Sequence, residues 1–206
     1  AGHETGIHTW DHVAWHDAVR NQDASWTKAM MQKSWDRFIE IFGHAPVTYG
    51  AAGWQMNETA FEQLDQWGIA YSSDGRAEPN LMPYRLALHS GKAKHVQYPT
   101  TLPTFDELIG VDGADEFGAV KKLLEITQSN PNDQVFTLHA ELEGQKLLPA
   151  FEQLLAGWLN QGHELVTMGE LHKSWEATKQ LDKIAVLPVT WGEIPNRSGD
   201  LIIQNN

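Results

Sequence analysis

Apolar residues recur along this chain in two alternating patterns. A helical period covers about 25–42, where Trp35, Phe38, Ile39 and Phe42 fall at i, i+3, i+4 and i+7, and Gly43 stands where a left-handed helix end favours glycine. Asn57 can cap a helix that carries Phe61 and Leu64 and closes at Gly68. Thr104 and Glu107 make a capping-box pattern for a short helix with Phe105 and Leu108. Further helices are expected over 115–128 and 147–161. The second of these turns Phe151, Leu154, Leu155 and Trp158 inward and stops at Gly162. Short apolar runs between the helices read as strands: Ile7, 46–49, 69–73, 95–98, 135–138 and 165–167. Strands alternating with helices of this length mean βα units and a mostly parallel sheet, so the class is α/β and the architecture a barrel or part of one. Residues 74–103 are loop-rich, punctuated by Gly75, Pro79, Pro83, Gly91, Pro99 and Pro103. From Leu181 the pattern becomes turn-rich, with Pro188, Pro195 and Gly199. The expected organisation is one domain over 1–180 and a tail, 181–206, packed on it.

Composition narrows the function classes. The 206 residues are 41% apolar and 20% charged, ordinary values for a globular chain. No stretch is long and apolar enough to span a bilayer, and the first residues lack the pattern of a signal peptide. A formal charge of −12 argues against non-specific binding to nucleic acid or to a strongly anionic membrane. With no cysteine there is no disulfide framework and no thiolate zinc cage. Ten histidines and nine tryptophans stand out. Tryptophan can stack on sugar rings, but core filling is the more ordinary use.

Two histidine sites lie at strand ends, where α/β barrels gather their ligands. His8 and His12 form an H-x-x-x-H pair just after Ile7, able to converge on one divalent cation, and Asp11 could orient one ring. Chance spacing among ten histidines is the competing explanation. His139 ends the apolar run Val-Phe-Thr-Leu and reads either as a satisfied structural residue or as a proton donor. The His3, Glu4 and His8 spacing fails the zinc-protease pattern, because the two histidines are five apart with Gly6 between them. No G-x-S-x-G elbow, catalytic cysteine or phosphate-binding glycine loop is present. Metal-assisted hydrolysis with a histidine acid is the chemistry that survives.

The order GHETGIHTWDH, AAGWQ, YSSDGR, YPTTLPTFDELIG and VFTLHAELEG resembles the polysaccharide deacetylase family. More narrowly it resembles the 4-deoxy-4-formamido-L-arabinose-phosphoundecaprenol deformylases of lipid A modification. The resemblance extends into the tail GEIPNRSGDLI. It implies a deformed (β/α) barrel and a divalent metal, zinc above manganese or cobalt, with His8 and His12 as two of its ligands. It makes His139 the general acid and Asp74 the aspartate that orients it. Trp54 becomes a wall of the sugar site, with Gln55, Tyr71, Arg76 and Glu143 as further substrate contacts. The implied substrate is a lipid-linked amino sugar, met from the bacterial cytoplasm at the inner face of the inner membrane by peripheral contact, with no role for nucleic acid. Two departures from the family pattern matter. The paired aspartates of the family's first strand have no match, so the N-terminal βα units are expected to be missing. Gln55 stands where the deformylases carry arginine. The alternatives are an N-acetyl-sugar or polysaccharide deacetylase, and an inactive sugar-binding remnant.

Overall fold

The computed structural model describes residues 2–204. After a single bridge at Ile7, the chain forms helices α1 (His12–Ala18) and α2 (Ala24–Phe42), strand β1 (Thr48–Tyr49), helix α3 (Glu58–Trp67) and strand β2 (Tyr71–Ser72). Strands β3 (Tyr84–Leu88), β4 (Gly91–Lys92) and β5 (Val96–Gln97) follow. Next come helices α4 (Phe105–Leu108), α5 (Glu116–Ser129), α6 (Leu148–Asn160) and α7 (Met168–Ala177), and finally strands β6 (Ala185–Leu187), β7 (Val189–Gly192) and β8 (Leu201–Gln204).

The caps expected from the sequence are in place. Asn57 Oδ1 accepts the Ala60 N–H at 3.0 Å, Gly43 and Gly68 close α2 and α3 with φ of 73° and 72°, and the Thr104–Glu107 capping box opens α4. The sheet is more mixed than expected. Strands β1, β2 and β5 run parallel in that order, but β3 pairs antiparallel with β5 and β4, and parallel with β6. Among the described residues these pairings form a path rather than a closed ring.

Four expectations are corrected. The buried stripe of α2 is Thr27, Met30, Met31, Ser34 and Phe38, whereas Ile39 and Phe42 are exposed. Small polar residues fit that stripe because Ser34 Oγ donates to the Met31 carbonyl at 2.7 Å and Thr27 Oγ1 to that of Asp23 at 3.0 Å. Trp35 instead stacks on Trp67 of α3, with ring centroids 4.4 Å apart. Residues 135–138 form no ladder. The Val135 carbonyl accepts two N–H groups, from Thr101 and Leu102, and its own N–H turns to the Thr101 hydroxyl. Nor is 165–167 a strand, and Leu165 and Val166 are exposed. Lastly, the turn-rich C-terminal stretch contains three strands. β7 and β8 pair antiparallel, Leu201 and Ile202 are buried, and the Arg76 N–H donates to the Ile202 carbonyl at 2.8 Å. Gly75 permits that approach, since a Cβ there would lie 3.0 Å from the Ile202 carbonyl oxygen.

The apolar interior has three parts. One gathers Trp15, Met31, Phe61 and Leu64 around β1 and β3. A second packs α4, α5 and α6 through Phe105, Leu123 and Leu154. The third surrounds Val96 and Tyr98. Among the described residues no helix is long and apolar enough to cross a membrane.

Candidate active site

Ile7 pairs beside β1, so His8 emerges at a strand end. Its Nδ1 lies 2.7 Å from the Gly50 carbonyl oxygen. A carbonyl only accepts, so Nδ1 carries the proton and Nε2 keeps its lone pair, the state in which imidazole binds a metal. Asp11 does not orient a ring. It caps α1, accepting the Ala14 N–H at 2.9 Å, and so makes His12 the first residue of the helix. The His8 and His12 rings are 5.3 Å apart, and His16, one turn on, stacks 6.5 Å from His12. Partial burial holds His12 below the ordinary imidazole range, helped by the electrostatic influence of the neighbouring basic side chains, His8 first among them. Segments far apart in sequence meet here, since Thr137, two residues before His139, lies 2.7 Å through its Oγ1 from Thr100 Oγ1, the partner of the Trp54 indole.

The loop after β1 supplies the next wall. Gly53 and Trp54 both adopt left-handed backbone, with φ of 62° and 54°. A Cβ at Gly53 would lie 2.4 Å from His16 Cδ2, so the ring of His16 fills the space glycine leaves. Gly53→Ala is expected to cost at least about 1–2 kcal/mol from the backbone alone. A thermal melt would report that loss, and an unchanged melting temperature would refute this account of the loop. The Trp54 indole N–H donates to Thr100 Oγ1 at 2.9 Å. Two guanidinium carbons sit over its ring, Arg76 at 4.6 Å from the centroid and Arg197 at 4.3 Å.

His139 stands three residues before a single π-turn, Leu142–Lys146, and its carbonyl accepts the Leu142 N–H at 2.8 Å. Its N–H donates to Glu143 Oε2 at 2.8 Å, and Glu143 is wholly buried. Its Nδ1 lies 3.9 Å from Asp106 Oδ1, too far for a hydrogen bond but close for a counter-charge.

The remaining residues expected at the site are placed as follows. Asp74 is fully buried, accepting the Ala51 N–H at 3.0 Å and Gln97 Nε2 at 2.8 Å, and burial pushes its carboxyl up. These bonds fasten the 50–54 loop to the sheet, and the carboxylate nearest the His139 ring nitrogen Nδ1 as an ion-pair partner is that of Asp106. Arg76 is buried and bidentate to Glu107, at 2.6 and 3.0 Å, so its guanidinium reaches the site through Trp54. Gln55 donates to the Asp200 carbonyl, tying the loop to the C-terminal strands. The Tyr71 hydroxyl donates to Glu4 at 2.7 Å, and the same carboxylate accepts the Gly169 N–H of α7. Glu143 supports the His139 backbone. Arg197, Asp106 and His16 were not singled out from sequence. Asp106 and Arg197 left a trace there, inside the loop and tail segments that carried the family resemblance.

The His8 and His12 nitrogens suit a divalent cation as two donors. Among the described residues no third histidine, aspartate or glutamate joins them in a group able to hold a metal.

No family model matches the chain. Its fold is that of the polysaccharide deacetylases: a crystal structure described as a polysaccharide deacetylase from Mycobacterium smegmatis superposes with a TM-score of 0.65, at 19% identity, over 94% of this chain and 68% of that one. In sequence the chain is similar to proteins named as the 4-deoxy-4-formamido-L-arabinose-phosphoundecaprenol deformylase ArnD. It is 29% identical to that of Wigglesworthia glossinidia brevipalpis over 98% of this chain, and 31% identical to that of Shewanella sediminis over 97%. The chain spans 68% and 61% of the lengths of these two relatives.

Proposed function

We propose that this site hydrolyses a carbohydrate N-acyl amide, and that the amide is the formyl group of 4-deoxy-4-formamido-L-arabinose carried on undecaprenyl phosphate. The observation that carries the reading is the meeting of the His8 and His12 rings at one strand end, with the segment of His139 joined to the neighbouring Trp54 loop through Thr137 and Thr100. In this reading the strand path belongs to a deformed barrel, and the reaction serves lipid A modification at the cytoplasmic face of the inner membrane. A lipid-linked substrate brings the protein to that surface by peripheral contact.

Amide hydrolysis needs a stronger electrophile, a better nucleophile and a proton for the departing nitrogen. A divalent cation, zinc for preference, held by His8 and His12 would polarise the carbonyl and ease deprotonation of water. His139 supplies the third need. In its protonated form it gives a proton to the amide nitrogen as the C–N bond breaks, releasing formate and the free amino sugar. Asp106 supplies its counter-charge, and Glu143 fixes the backbone from which the ring projects.

The fold neighbours favour one second reading, removal of acetate from an N-acetyl sugar. The natural full-length protein, loaded with zinc or manganese, should be offered formamido-arabinose polyprenyl phosphate and an N-acetyl sugar side by side. Formate release alone supports the deformylase reading, and acetate alone moves the protein to the deacetylases. Neither product would sink the hydrolytic reading and leave sugar binding.

A further inference from the structure

Arg197 lies in the turn between β7 and β8, which is tied down on both sides. Its N–H closes on the Ile194 carbonyl. Asp200, three residues on, is tied by its carbonyl to Gln55 and by its carboxylate to Arg20. The guanidinium is thereby set over Trp54, and the same turn packs on α1, where a Cβ at Gly199 would lie 3.6 Å from His16 Cε1.

Its charge is poorly matched by the protein around it. Glu107 is the carboxylate within ion-pair range, but that group already accepts two hydrogen bonds from Arg76 and one from the Thr104 N–H. Arg197 Nη1 reaches it only at 3.7 Å. Burial, as the leading cause, pushes the Arg197 guanidinium below the ordinary arginine range, and Arg76 adds repulsion. Glu107 and then Asp106 offset part of this, but Glu107 is shared with Arg76 and Asp106 also lies 3.9 Å from His139. A partly buried, under-paired guanidinium beside a histidine site suits an incoming anion, and its planar fork suits a phosphate ester. Since the chain carries a charge of −12, attraction for an anion has to be local.

We infer that Arg197 is the substrate-anion contact of this site, receiving the phosphate ester that links the sugar to its carrier, with Trp54 and Glu107 holding the guanidinium in place. The inference rests on the hydrolytic reading for the identity of the sugar. It revises the expected part of Trp54, whose ring is covered by cations rather than left bare for a sugar face.

The test is binding, which needs no turnover. Calorimetry with L-arabinose 1-phosphate and with methyl L-arabinoside should show the phosphate bound at least tenfold more tightly by the natural full-length protein. Arg197→Gln should bring that ratio close to one. Arg197→Lys, which keeps the charge and loses the fork, should keep part of it, and decides the matter if the glutamine variant does not fold. A preference undiminished in both variants, or no preference in the unmodified protein, would overturn the inference. Absence of formate and acetate in the assay above would instead remove the hydrolytic reading and leave the phosphate-binding result intact.

Discussion

Replacing His139 by alanine is expected to lower turnover by about 10²–10⁴-fold while leaving bound metal unchanged. The size follows from the task. Without an acid at the nitrogen, the leaving group departs as an amide anion or waits for a proton from solvent. The selectivity follows from geometry: the His139 N–H is committed to Glu143, and its ring faces Asp106 rather than pairing with His8 or His12. His8→Ala should do the reverse. It removes an imidazole whose Nδ1 is anchored on the Gly50 carbonyl and whose Nε2 is open to a cation, so metal content should fall together with activity. Metal analysis of both purified variants beside their kcat values checks the pair. A His139→Ala protein that loses its metal, or a His8→Ala protein that keeps it, would mean the roles are wrongly assigned.

The second large effect concerns stability. Arg76 and Glu107 are 8% and 4% exposed and joined by two hydrogen bonds, with Glu107 also closing the capping box of α4. Arg76→Met would leave a carboxylate buried without its principal partner, and breaking a buried pair in this way costs about 3–5 kcal/mol. For a chain of this length that corresponds to a fall in melting temperature of roughly 6–20 °C. Replacing both, as Arg76→Met with Glu107→Leu, should recover much of the loss, because no charge is then stranded. Thermal unfolding of the single and double variants decides it. A single variant within 1 kcal/mol of the parent would show that Glu107 finds enough compensation from Arg197 and the Thr104 N–H.

Among the site residues, legibility in the sequence depended on how local the interaction is. His8 and His12 share one turn of chain, so their spacing alone suggested that their rings meet, and they do at 5.3 Å. The capping box at Thr104 and Glu107 was equally visible, because the bond from the Thr104 N–H to Glu107 Oε2, at 3.1 Å, closes within four residues. The second use of Glu107, as the partner of Arg76, joins loops 31 positions apart and leaves no periodic trace. Asp11 shows the same limit from the other side. Beside two histidines it read as a ring orienter, yet the N–H of Ala14 three residues on is a nearer partner. The buried face of α2 was misjudged because periodicity counts apolar residues, while Thr27 and Ser34 satisfy their hydroxyls within the helix and so can be buried.

The helices α2, α3, α5 and α6, the caps, the separate histidine sites and the family resemblance all belong to the linear chain, because each rests on spacings of a few residues or on short motifs. Its antiparallel pairings, the C-terminal hairpin pressed against Arg76, and the position of Arg197 over Trp54 belong to the folded molecule. They join segments that have no fixed relation until the sheet has formed. Backbone groups and charges taken from water must then find partners wherever the fold brings them, and sequence distance plays no part in that choice.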